Sequence, residues 1–196
     1  RQVRQPRMPK TNRQLRIELR TATHKALLYS ASDIAVLRDD ELSQHPFLSR
    51  VGPDILDRAL TKEQVAERLC EPRFHRRALG SLYLDQGFLA GNGNYLRSEI
   101  LWAASLDPAR KPAALTEAEL IRLAGDTLTI ARRSYRTRGV TVPDGLARSL
   151  KAEGLTYGQY RFYVFGREGL PCYRCGTPIE KRTMSSRNLF VCPSCQ

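Results

Sequence analysis

Cys172-Tyr-Arg-Cys175, sixteen residues, then Cys192-Pro-Ser-Cys195-Gln196 make up the last 25 residues of this chain. Each Cys-x-x-Cys knuckle turns two thiolates toward one point, and two knuckles together supply the four soft ligands of a tetrahedral Zn²⁺ site. Four thiolates leave no open position for water or substrate, so the spacing predicts one structural zinc ion per chain. Between the knuckles, residues 179–184 and 188–191 read as two strands, with Ser185-Ser186-Arg187 at the tip. A metal-held hairpin ending in arginine suits a groove or a phosphate. A solvated arginine on a purely structural ribbon fits the same residues.

The rest of the composition bounds the partners. At 196 residues and 41% hydrophobic, the chain can bury a sizeable core. Its longest apolar runs, such as Ile100–Ala104, are far too short for a bilayer. Four of five cysteines fall in the knuckles, which favours a reducing, cytoplasmic setting. The fifth, Cys70, reads as a small buried apolar residue on a helix. The net charge is +12, of which residues 1–30 carry +7 and the stretch 31–90 carries −2. A polyanion is the natural partner, because Lys and Arg release counterions condensed on phosphates. The chain begins at Arg1 and not at a methionine, and residues 1–10 read as a segment of something longer.

Gln14–Arg20 alternates, with Leu15, Ile17 and Leu19 on one face, and Thr21–His24 separates it from Lys25–Tyr29. That predicts a β-hairpin, with His24 as a turn residue. A hairpin alone is not stable in water, so more sheet is expected beside it. Ser32–Leu37 is expected to open a short helix, and residues 45–54 to cross irregularly. Thr61-Lys-Glu-Gln64 is a capping box for a helix through Leu69, and Thr116-Glu-Ala-Glu119 for one ending near Arg132. Leu79 to Ala90 reads as a further helix. Residues 134–158 read as a long mobile loop and residues 159–165 as a strand leading into the zinc module.

The second informative stretch is Ala90-Gly-Asn-Gly-Asn-Tyr95. The glycines suit a tight reversal, and Asn94 is expected to cap a helix from Tyr95 to Leu106. Free N–H groups at that helix start, with the dipole behind them, make a phosphate site. An ordinary helical corner would use the same residues.

Taken together, Leu84-Asp-Gln86, residues 90–95, Glu99-Ile-Leu-Trp102, and the cysteine knuckles with Ser186-Arg187 resemble the formamidopyrimidine-DNA glycosylase and endonuclease VIII family. Tyr29–Ile34, His45–Leu48 and Val51–Asp54 are similar to its endonuclease VIII branch, so the likeness runs along essentially the whole chain. The resemblance implies an α+β fold. Residues 1–45 would be the remnant of an N-terminal β-sandwich with a linker, 46–165 a helical domain with the helix–two-turn–helix element, and 166–196 a β-hairpin zinc finger. By the same likeness Asn94 binds phosphate, Arg50 contacts DNA from the segment joining the lobes, and Arg187 binds phosphate and donates a proton in the last elimination. Cys172, Cys175, Cys192 and Cys195 match the zinc ligands. Asn92 departs from the small or apolar residue usual between the glycines, and the stretch after Tyr135 looks longer than usual.

The implied activity is a bifunctional glycosylase and abasic-site lyase for oxidised bases, pyrimidines above all. It would act as a cytoplasmic monomer on double-stranded DNA. That chemistry needs an N-terminal proline followed by glutamate, and a lysine on the first lobe, none of which is in this sequence. Pro6 and Pro9 are internal and are followed by Arg and Lys. The 196 residues by themselves are therefore expected to bind DNA without turnover. A non-catalytic zinc-dependent DNA-binding module is the alternative, and a zinc-ribbon protein of the ribosome or transcription machinery would leave the Gly-Asn-Gly-Asn turn unexplained.

Overall fold

The structure, a computed structural model, describes residues 10–196; residues 1–9, including Pro6 and Pro9, lie outside the described residues. The chain divides into two compact units, residues 1–45 and 46–196. In the first, β1 (Leu15–Arg20) and β2 (Lys25–Tyr29) pair antiparallel, with a register shift between Leu15 and Ile17. Thr21 closes the turn, its backbone N–H donating to the His24 carbonyl at 2.9 Å. The helix expected over Ser32–Leu37 is absent. A short 3₁₀ turn forms later, at Asp39–Gln44, where Glu41 reaches back to the Arg38 N–H at 2.8 Å. Three consecutive acidic residues, Asp39, Asp40 and Glu41, favour that N-terminal turn over an earlier start.

The second unit is helical and ends in a metal-knuckle hairpin. Helix α1 (Lys62–Cys70) opens on the Thr61/Gln64 capping box and buries Val65, Ala66 and Leu69. It packs against the longest helix, α4 (Glu117–Arg136), whose inner stripe carries Leu123, Ala124, Leu128 and Ala131. The α4 start is fixed by Thr116 and Glu119, and Arg110 pairs with Glu119 at 2.5 Å. Cys70, the last residue of α1, is exposed, which corrects the reading of it as buried.

Residues 79–90 are not one helix. Only α2 (Leu79–Leu82) is helical, and residues 83–89 continue as turns. The cause is long-range: Gly52 N–H donates to Gln86, Ala90 N–H to Pro53, and Ile55 N–H to Ala90, at 2.8–3.0 Å. This pairing takes the backbone groups a helix would need. It requires glycine at 52, where an added Cβ would sit 2.6 Å from the Phe88 carbonyl oxygen. Leu82 and Leu89 are both fully buried.

Two further expectations fail in the stretch before the zinc module. Residues 134–158 are no open loop. They hold the end of α4, then α5 (Asp144–Ala152) and α6 (Tyr157–Tyr160), with Val140, Val142, Ala147, Leu150 and Tyr160 forming a small core. Residues 159–165 form no strand, for the N–H groups of Tyr163, Val164 and Phe165 are taken by a side chain on another helix, described below. After them, β3 (Glu180–Met184) and β4 (Arg187–Val191) pair in a regular ladder. Ser185 and Ser186, both at φ near +55°, form the two-residue turn, so Arg187 begins β4 opposite Met184 and is not itself at the tip. No helix among the described residues is long and apolar enough to cross a membrane.

Candidate metal centre and nucleic-acid interface

The four sulfurs of Cys172, Cys175, Cys192 and Cys195 lie within 4.8 Å of one another. Individual separations are 3.4 Å (Cys175–Cys192), 3.5 Å (Cys175–Cys195) and 3.9 Å (Cys172–Cys195). A tetrahedron with Zn–S bonds of about 2.3 Å has edges of about 3.8 Å, so the donor set fits one zinc ion. Electrostatics agree. Hydrogen bonds from Thr177 hold the Cys175 thiol down to about 6, whereas burial pushes Cys195 up to about 12. Four thiolates this close need a cation to share. With four thiolate ligands the metal is structural.

The knuckles are seated on α3 (Asn94–Ala103). Trp102 of α3 stacks on Tyr163 with centroids 4.1 Å apart, and Arg174, inside the first knuckle, lies 4.2 Å over Trp102. Arg174 also donates to Ser105 Oγ at 2.6 Å. The second knuckle is held by Gln196, whose Oε1 accepts from the Cys192 N–H at 2.9 Å and whose Nε2 donates to the Leu106 carbonyl at 3.2 Å. Trp102, Val164, Ile179 and Phe190 fill the space between helix and metal site.

At its other end α3 meets the β3–β4 hairpin. Gly91, at φ +83°, turns the chain, and Gly93 stands at the N-cap, so Asn94 is the first helical residue and not the cap. Among the described residues, nothing accepts from the N–H groups of Asn94, Tyr95 and Leu96, which leaves three donors at the positive end of the helix. Asn92 is buried because its side-chain amide donates to the Tyr83 carbonyl at 2.6 Å and so pins the two turns together. Gln86 spans the same reversal, accepting from Gly91 N–H and donating to the Asn92 carbonyl.

The Asn94 amide donates to the Asn188 carbonyl of β4 at 2.8 Å, and its oxygen accepts from Arg97 Nη2 at 2.6 Å. Arg97 is wholly buried and also donates to the carbonyls of Gly80, Met184 and Asn188 at 2.9, 3.3 and 3.2 Å. Burial, with the Arg187 charge nearby, lowers its guanidinium to about 10. Arg97 has no carboxylate partner among the described residues, so positive charge concentrates where Asn94 and Arg187 converge. Arg187 itself is exposed. The sequence alone does not single out Arg97, and it offers Glu99 only as part of the Glu99–Trp102 motif, with no role of its own. The available signal was two charged residues inside a helix whose run from Leu96 to Trp102 is otherwise uncharged.

Arg50 is placed elsewhere. Its Nε donates to the Pro46 carbonyl at 2.7 Å, and it lines a cleft of about 750 Å³ with Arg68, Arg73 and Arg77. Thus the structure brings Asn94 next to the hairpin that carries Arg187, and puts Arg50 in a separate basic cleft.

Comparison with known proteins places this architecture. The formamidopyrimidine-DNA glycosylase H2TH domain profile matches residues 51–144, and that of the zinc finger found in FPG and IleRS matches residues 169–196. The chain is 52% identical to Endonuclease 8 of Shigella sonnei over 188 residues, covering 96% of this chain and 68% of that protein. Endonuclease 8 of Klebsiella pneumoniae is 51% identical with the same coverage. Among solved structures, the MutM (Fpg) protein of Thermus thermophilus superposes with a TM-score of 0.66 at 31% identity, covering 95% of this chain and 73% of its own. Lactococcus lactis Fpg, solved with DNA containing an abasic site, shares the fold at a TM-score of 0.63 and 22% identity, covering 88% of this chain and 58% of its own.

Proposed function

The chain belongs to the formamidopyrimidine-DNA glycosylase and endonuclease VIII family, and from that premise we propose that it is the DNA-binding part of a bifunctional base-excision glycosylase. The substrate is duplex DNA with oxidised bases, chiefly pyrimidines, or abasic sites, and the protein works as a cytoplasmic monomer. The observation that carries this reading is the convergence of the unclaimed Asn94 and Tyr95 N–H groups, the buried Arg97 charge and the Arg187 strand at one end of α3. Backbone N–H groups and arginines of this kind hold phosphates without reading sequence.

In this reading the first N–H groups of α3, with the free N–H of the Asn94 amide, bind one phosphate. Arg187 binds another and protonates the leaving group of the final elimination, and Arg50 contacts the backbone from its own cleft. The phosphate contacts hold a kinked duplex from which the damaged nucleotide is flipped. Zinc, held by the four thiolates, would take no part in bond breaking and would fix the two knuckles, and with them the ends of β3 and β4, to each other. The attacking group of the whole protein is a secondary amine. It displaces the base at the anomeric carbon and forms a Schiff base, whose iminium then accepts electrons as the two phosphates are eliminated. None of the residues assigned here supplies that amine; the share of the work proposed for these 196 residues is DNA binding. The working division is residues 1–45 for the first lobe and linker, 46–165 for the helical domain and 166–196 for the zinc finger.

Borohydride reduction during incubation with damaged DNA tests this. The protein carrying the upstream coding sequence is expected to give a covalent adduct, and the 196-residue chain to bind the same DNA without one. Binding with no adduct from the longer protein would favour the non-catalytic module instead.

A further inference from the structure

Glu99 sits in the middle of α3, fully buried, and forms no ion pair among the described residues. Its carboxylate instead takes four hydrogen bonds. Oε2 accepts from Thr141 Oγ1 at 2.5 Å and from the Tyr163 N–H at 2.8 Å, and Oε1 from the N–H groups of Val164 and Phe165, both at 2.9 Å. Three consecutive backbone donors converging on one carboxylate fix a segment with no regular structure of its own. Burial pushes the Glu99 carboxyl up, and the four donors oppose it by favouring the carboxylate.

The segment so fixed leads straight to the zinc hairpin. Phe165 meets Phe190 of β4 edge-on at 5.1 Å, Val164 packs with Ile179 and Phe190, and Tyr163 stacks on Trp102. One residue before Glu99 on α3, Ser98 Oγ accepts from the Phe190 N–H at 3.3 Å. Thr141 brings in the irregular stretch after α4, since its N–H donates to the Arg161 carbonyl at 2.8 Å. Glu99 thus ties α3, the stretch after α4 and the approach to the first knuckle at a single point.

We propose that Glu99 is a positioning residue for DNA binding: by holding residues 163–165 it sets where β4 lies against α3, and so where Arg187 stands relative to the Asn94 phosphate site. The proposal rests on the reading of Arg187 as a phosphate contact. Zinc alone cannot set this position, because the metal fixes the knuckles to each other and not to the helix.

Glu99→Gln is the test, since it keeps the shape and replaces one acceptor oxygen by a donor. Whichever way the amide turns, at least one of the three backbone N–H groups faces an NH₂ and is orphaned. The zinc-loaded 196-residue chain is compared with and without Arg187→Ala for binding to a duplex containing an abasic-site analogue. Hydrogen exchange is followed at residues 163–165 and 187–191. Glu99→Gln is expected to retain one zinc and to speed exchange in both segments. It is also expected to shrink the Arg187→Ala penalty from about tenfold, one charge-assisted contact, to under twofold. A penalty of the same size in both backgrounds, or unchanged exchange at 187–191, overturns the proposal; a purely stabilising Glu99 would lower the melting temperature and leave both readouts alone. Loss of the Arg187→Ala penalty in the unmutated background would instead remove the phosphate role of Arg187, and exchange at 187–191 then decides the positioning role by itself. Should Glu99→Gln not fold, Thr141→Val removes one of the four donors and must move the same two readouts in the same direction. Full retention of both in that variant also overturns the proposal.

Discussion

Removing the Arg97 guanidinium while keeping its length, as Arg97→Met, tests what locks the hairpin to α3. The wild-type group makes four hydrogen bonds, to Gly80 O, Met184 O, Asn188 O and Asn94 Oδ1. Asn188 O keeps the Asn94 amide as donor, so its loss is partial. Hydrogen bonds from a charged donor contribute about 1.5–3 kcal/mol each, and a buried acceptor left empty costs about 1–3 kcal/mol. Against this, Met removes a buried charge with no counter-ion, which by itself is favourable. The balance is a destabilisation of about 2–4 kcal/mol, or roughly 5–15 °C in melting temperature for a unit of this size. Thermal unfolding of the zinc-loaded chain, followed by circular dichroism, reads it directly. Fluorescence anisotropy with a duplex reads the second consequence, a drop in affinity as Asn94 loses its partner. A melting temperature within about 1 °C of wild type, with unchanged affinity, would refute the view that Arg97 is the interlock.

Arg187→Ala should weaken damaged-DNA binding and, in the complete protein, slow the second elimination while sparing base removal; equal loss at every step would contradict the proton-donor role. Asn94→Ala should weaken binding to damaged and undamaged duplex alike, because phosphates carry no sequence, and a damage-selective loss would count against the phosphate site. Ellman's reagent on the zinc-loaded chain should titrate one thiol, Cys70, and all five after chelation; more than one fast thiol before chelation would argue against metal ligation by all four others. Arg110 and Thr116 hold the Glu119 carboxyl down to about 2. A depressed carboxylate stabilises above its unfolded value and loses that contribution as pH falls through the folded one. Glu119→Gln should therefore be less stable than wild type near pH 6, with the difference in urea midpoints closing as pH falls from about 4.5 toward about 2; a constant difference would rule the pairing out.

What was legible in the sequence follows the range of the interactions that decide each element. The capping boxes at Thr61 and Thr116 are local, and both helices start where those residues place them. The knuckles are local too, and their four sulfurs come together. No helical periodicity reveals that in residues 83–89 the Gln86 carbonyl is claimed by Gly52 and those of Gly87 and Phe88 by Arg68, while Ala90 pairs with Pro53 and Ile55. The aromatic run before the zinc module looked like a strand, but its donors go to a carboxylate 64–66 positions away. In 144–152, glycine and arginine drew attention away from the spacing of Ala147 and Leu150, which bury one face of α5. Asn94 is legible from its turn, whereas the roles of Arg97 and Glu99 are not, because most of their partners lie on other segments.

A zinc-held hairpin and the start of α3 make one phosphate-binding surface. Affinity of the 196-residue chain for an abasic-analogue duplex, measured against salt concentration with zinc and after chelation, tests it most directly. With zinc, binding is expected to be tight and steeply salt-dependent, with a slope shallower by about one in Arg187→Ala, and chelation is expected to remove most of the affinity. Equal affinity and equal salt slope with and without zinc would contradict it.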